Sequence, residues 1–141
     1  MNESKKMCIV VFGGTVDKLY PAAIMSSGAV MNDMEVDIFL TFWGLLAFKK
    51  GAPQQLKAVS KDYEDMGEAM MNVMQAKNVP SWYDTLVQAK EMGNIRIHAC
   101  AMTADLFEME LDDFEPVIDD IIGVGEFVGI SAEADTTLYL G

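Results

Sequence analysis

The chain has 141 residues, 51% of them hydrophobic, and a formal net charge of −12. That is one domain's length with enough apolar side chain for its own core, so a disordered acidic segment is excluded and a single domain over 1–141 is expected. The negative field excludes nucleic acid and anionic membrane surfaces as partners, and a charged partner is expected to be basic.

The longest nearly apolar run, Ile38 to Phe48, is about half the roughly 20 residues that a spanning helix needs, so no membrane insertion is expected. Lys5 and Lys6 before Met7 to Phe12 imitate a signal peptide, but Gly13, Gly14 and Asp17 cut the apolar stretch short, and a cytoplasmic protein is expected. Cys8 and Cys100 are too few for a disulfide framework. Neither lies in a CxxC or Cys/His cluster, and with His98 the only histidine no metal site is expected.

In chain order, Cys8 to Phe12 is a continuous β-branched run ended by Gly-Gly, the pattern of a strand buried in a parallel sheet. A helix follows, capped by Asp17 or Thr15, with Pro21 in its first turn and apolar residues recurring at Leu19, Ala23, Ile24, Val30 and Met31. Met34 to Thr41 is a second buried strand, and Phe42 to Phe48, broken up by Gly44, Gly51 and Pro53, reads as a loop or short helix at its carboxyl end. Residues 54 to 80 hold Met66, Met70, Met71 and Met74 at helical spacing among acids and read as a mobile flap. Ser81 caps a helix from Trp82 to Met92, Gly93-Asn94 gives it a left-handed stop, and Ile95 to Cys100 is a third strand. A helix over Thr103 to Met109, an acidic loop, a fourth strand within Val117 to Val124, a helix over Glu126 to Ala134 and a fifth strand from Thr136 to Leu140 complete the alternation. It predicts a single-domain three-layer α/β sandwich, flavodoxin-like, with a mostly parallel sheet of about five strands.

Ligands of such sheets bind outside the carboxyl ends of the strands, where the winding reverses. A strand order 2-1-3-4-5 places that switch point between strands one and three. Gly13-Gly14-Thr15-Val16-Asp17 would then lie beside Cys100-Ala101-Met102-Thr103. Backbone N–H groups at Gly13 and Gly14 could converge on an anion, although GxGxxG and P-loop patterns are absent and a Gly-Gly after a strand is more often just a tight turn. Asp17 reads as a helix N-cap before it reads as a ligand contact, because its carboxylate opposes an anion. Cys100 closes a strand and precedes a helix, which favours its thiolate, a nucleophile; the competing reading is an ordinary buried core cysteine. Cys8 opens strand one, about 15 Å from Cys100, too far for a disulfide. His98 reads as a satisfied histidine rather than a base for Cys100, and Arg96 as structural. Trp43 could roof the crevice or pack at a contact, and the carboxylates of 105 to 120 read as a solvated face.

The stretches Ile9 to Leu19 (IVVFGGTVDKL), Met34 to Gly44 (MEVDIFLTFWG), Asn78 to Pro80 before a helix, and Ile97 to Leu106 (IHACAMTADL) together resemble the DsrE/DsrF-like proteins, specifically the DsrE2-type branch often labelled peroxiredoxin-like. The resemblance covers nearly the whole chain. It implies a flavodoxin-like fold, a homo-oligomer, no cofactor, and sulfur relay in which a cysteine carries sulfane sulfur to a TusA-like or rhodanese-like partner. By it Cys100 is the carrier, and the loop with Gly13, Gly14, Thr15 and Asp17 lines the site; Trp43, Met102 and Thr103, placed at the same crevice by their position after the strands, complete the candidate set. The acidic stretch Asp62, Glu64, Asp65 and Glu68 departs from the Lys-rich segment of such proteins. The alternatives are a non-catalytic oligomeric module binding a small anion or nucleotide, and a thiol peroxidase, which would need an outside thiol as resolving partner.

Overall fold

The computed structural model describes residues 4–141. Five strands form one sheet: β1 (Lys6–Val11), β2 (Glu35–Leu40), β3 (Ile95–Cys100), β4 (Asp120–Ile122) and β5 (Thr136–Leu140). Every pairing is parallel, in the order β4-β3-β2-β1-β5. The helices are α1 (Val16–Met31), α2 (Trp43–Leu46), α3 (Ala52–Gln55), α4 (Glu64–Ala76), α5 (Trp82–Met92), α6 (Ala101–Leu106) and α7 (Val124–Ala132).

The expected α/β sandwich is thus formed, and the alternation of side chains along each strand makes its layers. Ile9 and Val11, Val36, Ile38 and Leu40, and Ile97 and Ala99 turn one way, onto Leu19 and Ala23 of α1 and Leu86 and Ala89 of α5. Their neighbours Cys8, Phe39 and Cys100 turn the other way, with Ile122, onto Phe127 of α7. Phe39 and Phe127 stack there at 4.5 Å between ring centroids.

The strand order corrects the sequence reading. The chain steps in one direction from β1 to β4 and returns across the sheet to lay β5 on the free side of β1. β2 therefore lies between β1 and β3, and the crevice expected between those two strands does not exist. The register Val11–Leu40–Ala99 aligns the three carboxyl ends, so the loops after β1, β2 and β3 stand in a row.

Local corrections follow from where helices begin. α1 starts at Val16 with Thr15 as N-cap, which makes Pro21 its sixth residue rather than part of its first turn. Asp17 is not the cap: both its carboxylate oxygens hold Ser60, one through the backbone N–H at 2.9 Å and the other through the hydroxyl. The Gly93 stop is extended, φ −148°, not left-handed; a Cβ there would come within 2.6 Å of the Val30 side chain, so close packing on α1 is what requires glycine. Ser81 caps α5 as expected, accepting from the Asp84 N–H at 3.0 Å. The Met-rich segment forms α4, most of whose side chains are exposed. Cys8 is the third residue of β1 rather than its first.

Candidate functional site

α6 begins two residues earlier than its sequence suggests, and Cys100 becomes both the last residue of β3 and the N-cap of α6. The thiol is buried, 4% exposed, among Phe39, Ile122 and Phe127. Burial by itself raises a thiol pKa. Here the Thr103 hydroxyl and N–H, the Thr41 hydroxyl and the Met102 N–H outweigh burial, and the Cys100 pKa lies below its ordinary value.

Those donors are held by a strained corner. Thr41 to Gly44 form a turn closed by the Gly44 N–H donating to the Thr41 carbonyl at 3.1 Å. Phe42, at φ 49°, ψ −124°, occupies the second position of a type II′ turn, which glycine ordinarily fills. Its N–H donates to Thr103 Oγ1 at 3.0 Å, and Thr41 Oγ1 lies 3.1 Å from the same oxygen. With its oxygen engaged by a backbone donor, the fully buried Thr103 hydroxyl is free to direct its own proton at the sulfur or at Thr41. Backbone strain stored beside a low-pKa thiol is the kind of arrangement found at working sites.

Cys8 behaves in the opposite way. Burial first, and the Asp37 carboxylate second, push its thiol up to about 11. Both cysteines are free and belong to the same apolar cluster, yet Cys8 pairs in register with Asp37 and Arg96, well below Cys100. Four residues of strand and two strand spacings separate them by roughly 13 Å along the sheet and 10 Å across it.

His98, two residues before Cys100, is buried with both nitrogens engaged: Nδ1 with Asp120 at 2.6 Å and Nε2 with Asp37 at 2.7 Å. Arg96 donates to the other Asp37 oxygen at 3.0 Å. These two residues are held structurally, as their positions suggested, and His98 has no nitrogen left for Cys100. Among the described residues no group of three or more His, Cys, Asp or Glu side chains is arranged to hold a metal ion.

The other sequence candidates separate into two groups. Met102 and Thr103 stay with Cys100. Gly13, Gly14, Thr15 and Trp43 line a neighbouring cavity of about 520 Å³, whose walls do not include Cys100, Met102 or Thr103. Trp43 stands between the two, following Phe42 in the chain and lying 6.3 Å from the Phe107 ring at the end of α6.

The DsrE/DsrF/DrsH-like family profile matches residues 3–67 and 50–139. The chain belongs to that family. Two relatives match the chain over nearly their whole length. The uncharacterized protein YrkE of Bacillus subtilis is 31% identical over 163 residues, covering 98% of both chains. The sulfur carrier protein DsrE2 of Allochromatium vinosum is 30% identical over 160 residues, covering 98% of this chain and 99% of its own. Two solved structures share the fold at low identity. MTH1491 of Methanobacterium thermoautotrophicum has a TM-score of 0.60 at 12% identity, and ychN of E. coli 0.59 at 14%; each covers 96% of this chain and 99% of its own. Among the described residues of this family member, no helix is long and apolar enough to cross a membrane.

Sequence reasoning missed Thr41, Phe42, Lys18 and Lys61. Thr41 and Phe42 end the apolar run of β2, and no spacing rule ties them to Thr103 some sixty residues later. Lys18 and Lys61 each sit beside an acid in sequence, Asp17 and Asp62, which conceals that both line one cavity.

Proposed function

We propose that the protein is a sulfur carrier in which Cys100 holds sulfane sulfur and passes it to a second protein. The observation that carries this reading is the Cys100 thiol itself, held below its ordinary pKa at the carboxyl edge of the sheet by Thr103, Thr41 and the Met102 N–H. Membership of the family, and likeness to a relative named as a sulfur carrier, support it.

The Cys100 thiolate attacks the outer sulfur of a donor such as thiosulfate. The new S–S bond forms as the donor's S–S bond breaks, sulfite leaves with the electron pair, and Cys100 becomes a persulfide. An acceptor thiolate then attacks the terminal sulfur, and Cys100 departs as the thiolate that its hydrogen bonds stabilise. No external oxidant or reductant enters either step. Cys8, remote and held near pKa 11, is no resolving thiol, so the acceptor cysteine belongs to another protein. Phe12, Trp43 and Met102, exposed just beyond the ends of β1, β2 and β3, supply an apolar rim on which such a partner docks, and the charge of −12 favours one with a basic face.

Incubation with thiosulfate or polysulfide followed by intact mass measurement tests the reading. Wild type and Cys8→Ser gain sulfur and lose it to added thiol, whereas Cys100→Ser gains none. Equal gain by Cys100→Ser, or none by wild type, overturns it.

A further inference from the structure

The cavity lined by the loops after β1 and β2 has a chemistry unlike the rest of the surface. Its volume of about 520 Å³ falls in the range of small-molecule sites. The protein carries 22 acidic residues, yet none lines this cavity, while Lys18 and Lys61 both do. The Lys18 stem lies across Gly13, where a Cβ would come within 2.7 Å of its Cγ. The loop adds two donors. Among the described residues the N–H groups of Gly14 and Thr15 have no acceptor, although Gly13 donates to Leu140 and Val16 to Ala58 on either side. Both residues are half-buried at the start of α1, where backbone donors have no intrahelical acceptor, and both line the cavity together with the two lysines.

The remaining walls set the ligand's body and orientation. Leu46 and Leu56 give an apolar floor, and the Trp43 indole, 60% exposed, gives a flat wall. Gly14 permits that wall to close in, because a Cβ there would come within 2.5 Å of the Trp43 carbonyl oxygen. Ser60 also lines the cavity, but its N–H and hydroxyl both donate to Asp17, and the Thr15 hydroxyl does too. Asp17 is not among the residues that line the cavity, and its carboxylate oxygens are occupied by these donors. An anion is directed instead to Gly14, Thr15 and the two lysines.

We propose that this cavity binds a small organic anion with a flat apolar body, in the size class of a nucleoside monophosphate, its anionic group on the Gly14 and Thr15 N–H groups and the two ammonium groups, its body against Trp43. The site makes no use of Cys100 and stands whether or not the thiol carries sulfur.

AMP, with adenosine as its neutral counterpart, tests the assignment by NMR titration of the full chain at low salt. AMP is expected to shift the Gly14 and Thr15 amide signals and the Trp43 indole signal, with affinity falling as salt rises. Lys18→Ala and Lys61→Ala, both surface changes that the fold tolerates, are each expected to weaken AMP about threefold to fivefold, as partly exposed charges do. Adenosine binds at least tenfold more weakly, and Cys100→Ser binds AMP as wild type does. No shift at these amides with AMP, adenosine binding equal to AMP, or AMP affinity unchanged when both lysines are replaced would overturn the proposal.

Discussion

The two cysteines differ because of what their sulfurs touch. Each is buried on the same face of the sheet, so burial disfavours both thiolates. At Cys8 the nearest charge is a carboxylate, which adds to the penalty; at Cys100 hydrogen-bond donors reverse it. Thr103 contributes twice, through its hydroxyl and its N–H, and only the hydroxyl can be removed by substitution. Thr103→Val keeps the side-chain shape and deletes one hydrogen bond to a charged sulfur, an interaction of about 1.5 to 3 kcal/mol. The Cys100 thiolate absorbance should therefore appear roughly one pH unit higher or more in the variant. The Phe42 N–H also loses its acceptor, which costs about 1 to 3 kcal/mol of stability in a denaturant melt. An unchanged thiolate profile in a folded variant would remove the hydroxyl from the account of Cys100.

At the scale of elements, the corner between β2 and α2 positions these donors, and glycine decides how closely it packs. A Cβ on Gly44 would come within 2.3 Å of the Val11 carbonyl oxygen, a backbone atom that has no room to yield. Gly44→Ala is expected to push α2 off the end of β1, to cost about 2 kcal/mol or more, and to raise the Cys100 pKa as Thr41 and Phe42 leave Thr103. Gly28 provides the comparison. It lies inside α1 with nothing within 4 Å of a Cβ, so Gly28→Ala should stabilise the protein by about 0.5 to 1 kcal/mol and leave the thiol untouched. Thermal melts of both variants, with a thiol titration of each, check the pair; equal effects of the two substitutions would mean that helix propensity, not close approach, governs the corner.

These elements also show what the sequence made legible. β1 and β2 announce themselves as largely apolar runs, and α5 through Ser81, because strand burial and N-caps are local properties. Strand order is not local. It depends on α1 and α5 packing side by side on one face and α7 returning alone across the other, and no residue of β1 encodes that β2 rather than β3 lies next to it. The candidate site was legible where it coincided with a chain landmark, as Cys100 does at the junction of β3 and α6. It was illegible where it depended on the meeting of Thr41 with Thr103, or of Lys18 with Lys61.

For the whole molecule, a chain of charges with buried Asp37 and His98 at its centre and half-exposed Arg96 and Asp120 at its ends ties three neighbouring strands together, β2, β3 and β4. Burial would lower the His98 pKa, but the hydrogen bonds and charges of Asp37 and Asp120 outweigh it and raise the pKa above the ordinary 6.5. The imidazolium then carries one positive charge between two carboxylates, and Asp37, itself held below its usual value by His98 and Arg96 despite burial, stays ionised. A group whose pKa is higher folded than unfolded binds its proton more tightly in the native state. Its contribution is complete below pH 6.5 and is lost as pH rises through the folded value, where deprotonation leaves Asp37 with Arg96 as its one cationic partner and brings the molecule to the full −12 that counts histidine as neutral. With a single histidine in the chain, one imidazole signal reports this step directly. The melting temperature is expected to fall with rising pH over the same interval in which that signal titrates, above 6.5. An imidazole that titrates below 6.5, or a melting temperature that holds level through its titration, would mean that the charge chain does not stabilise the sheet.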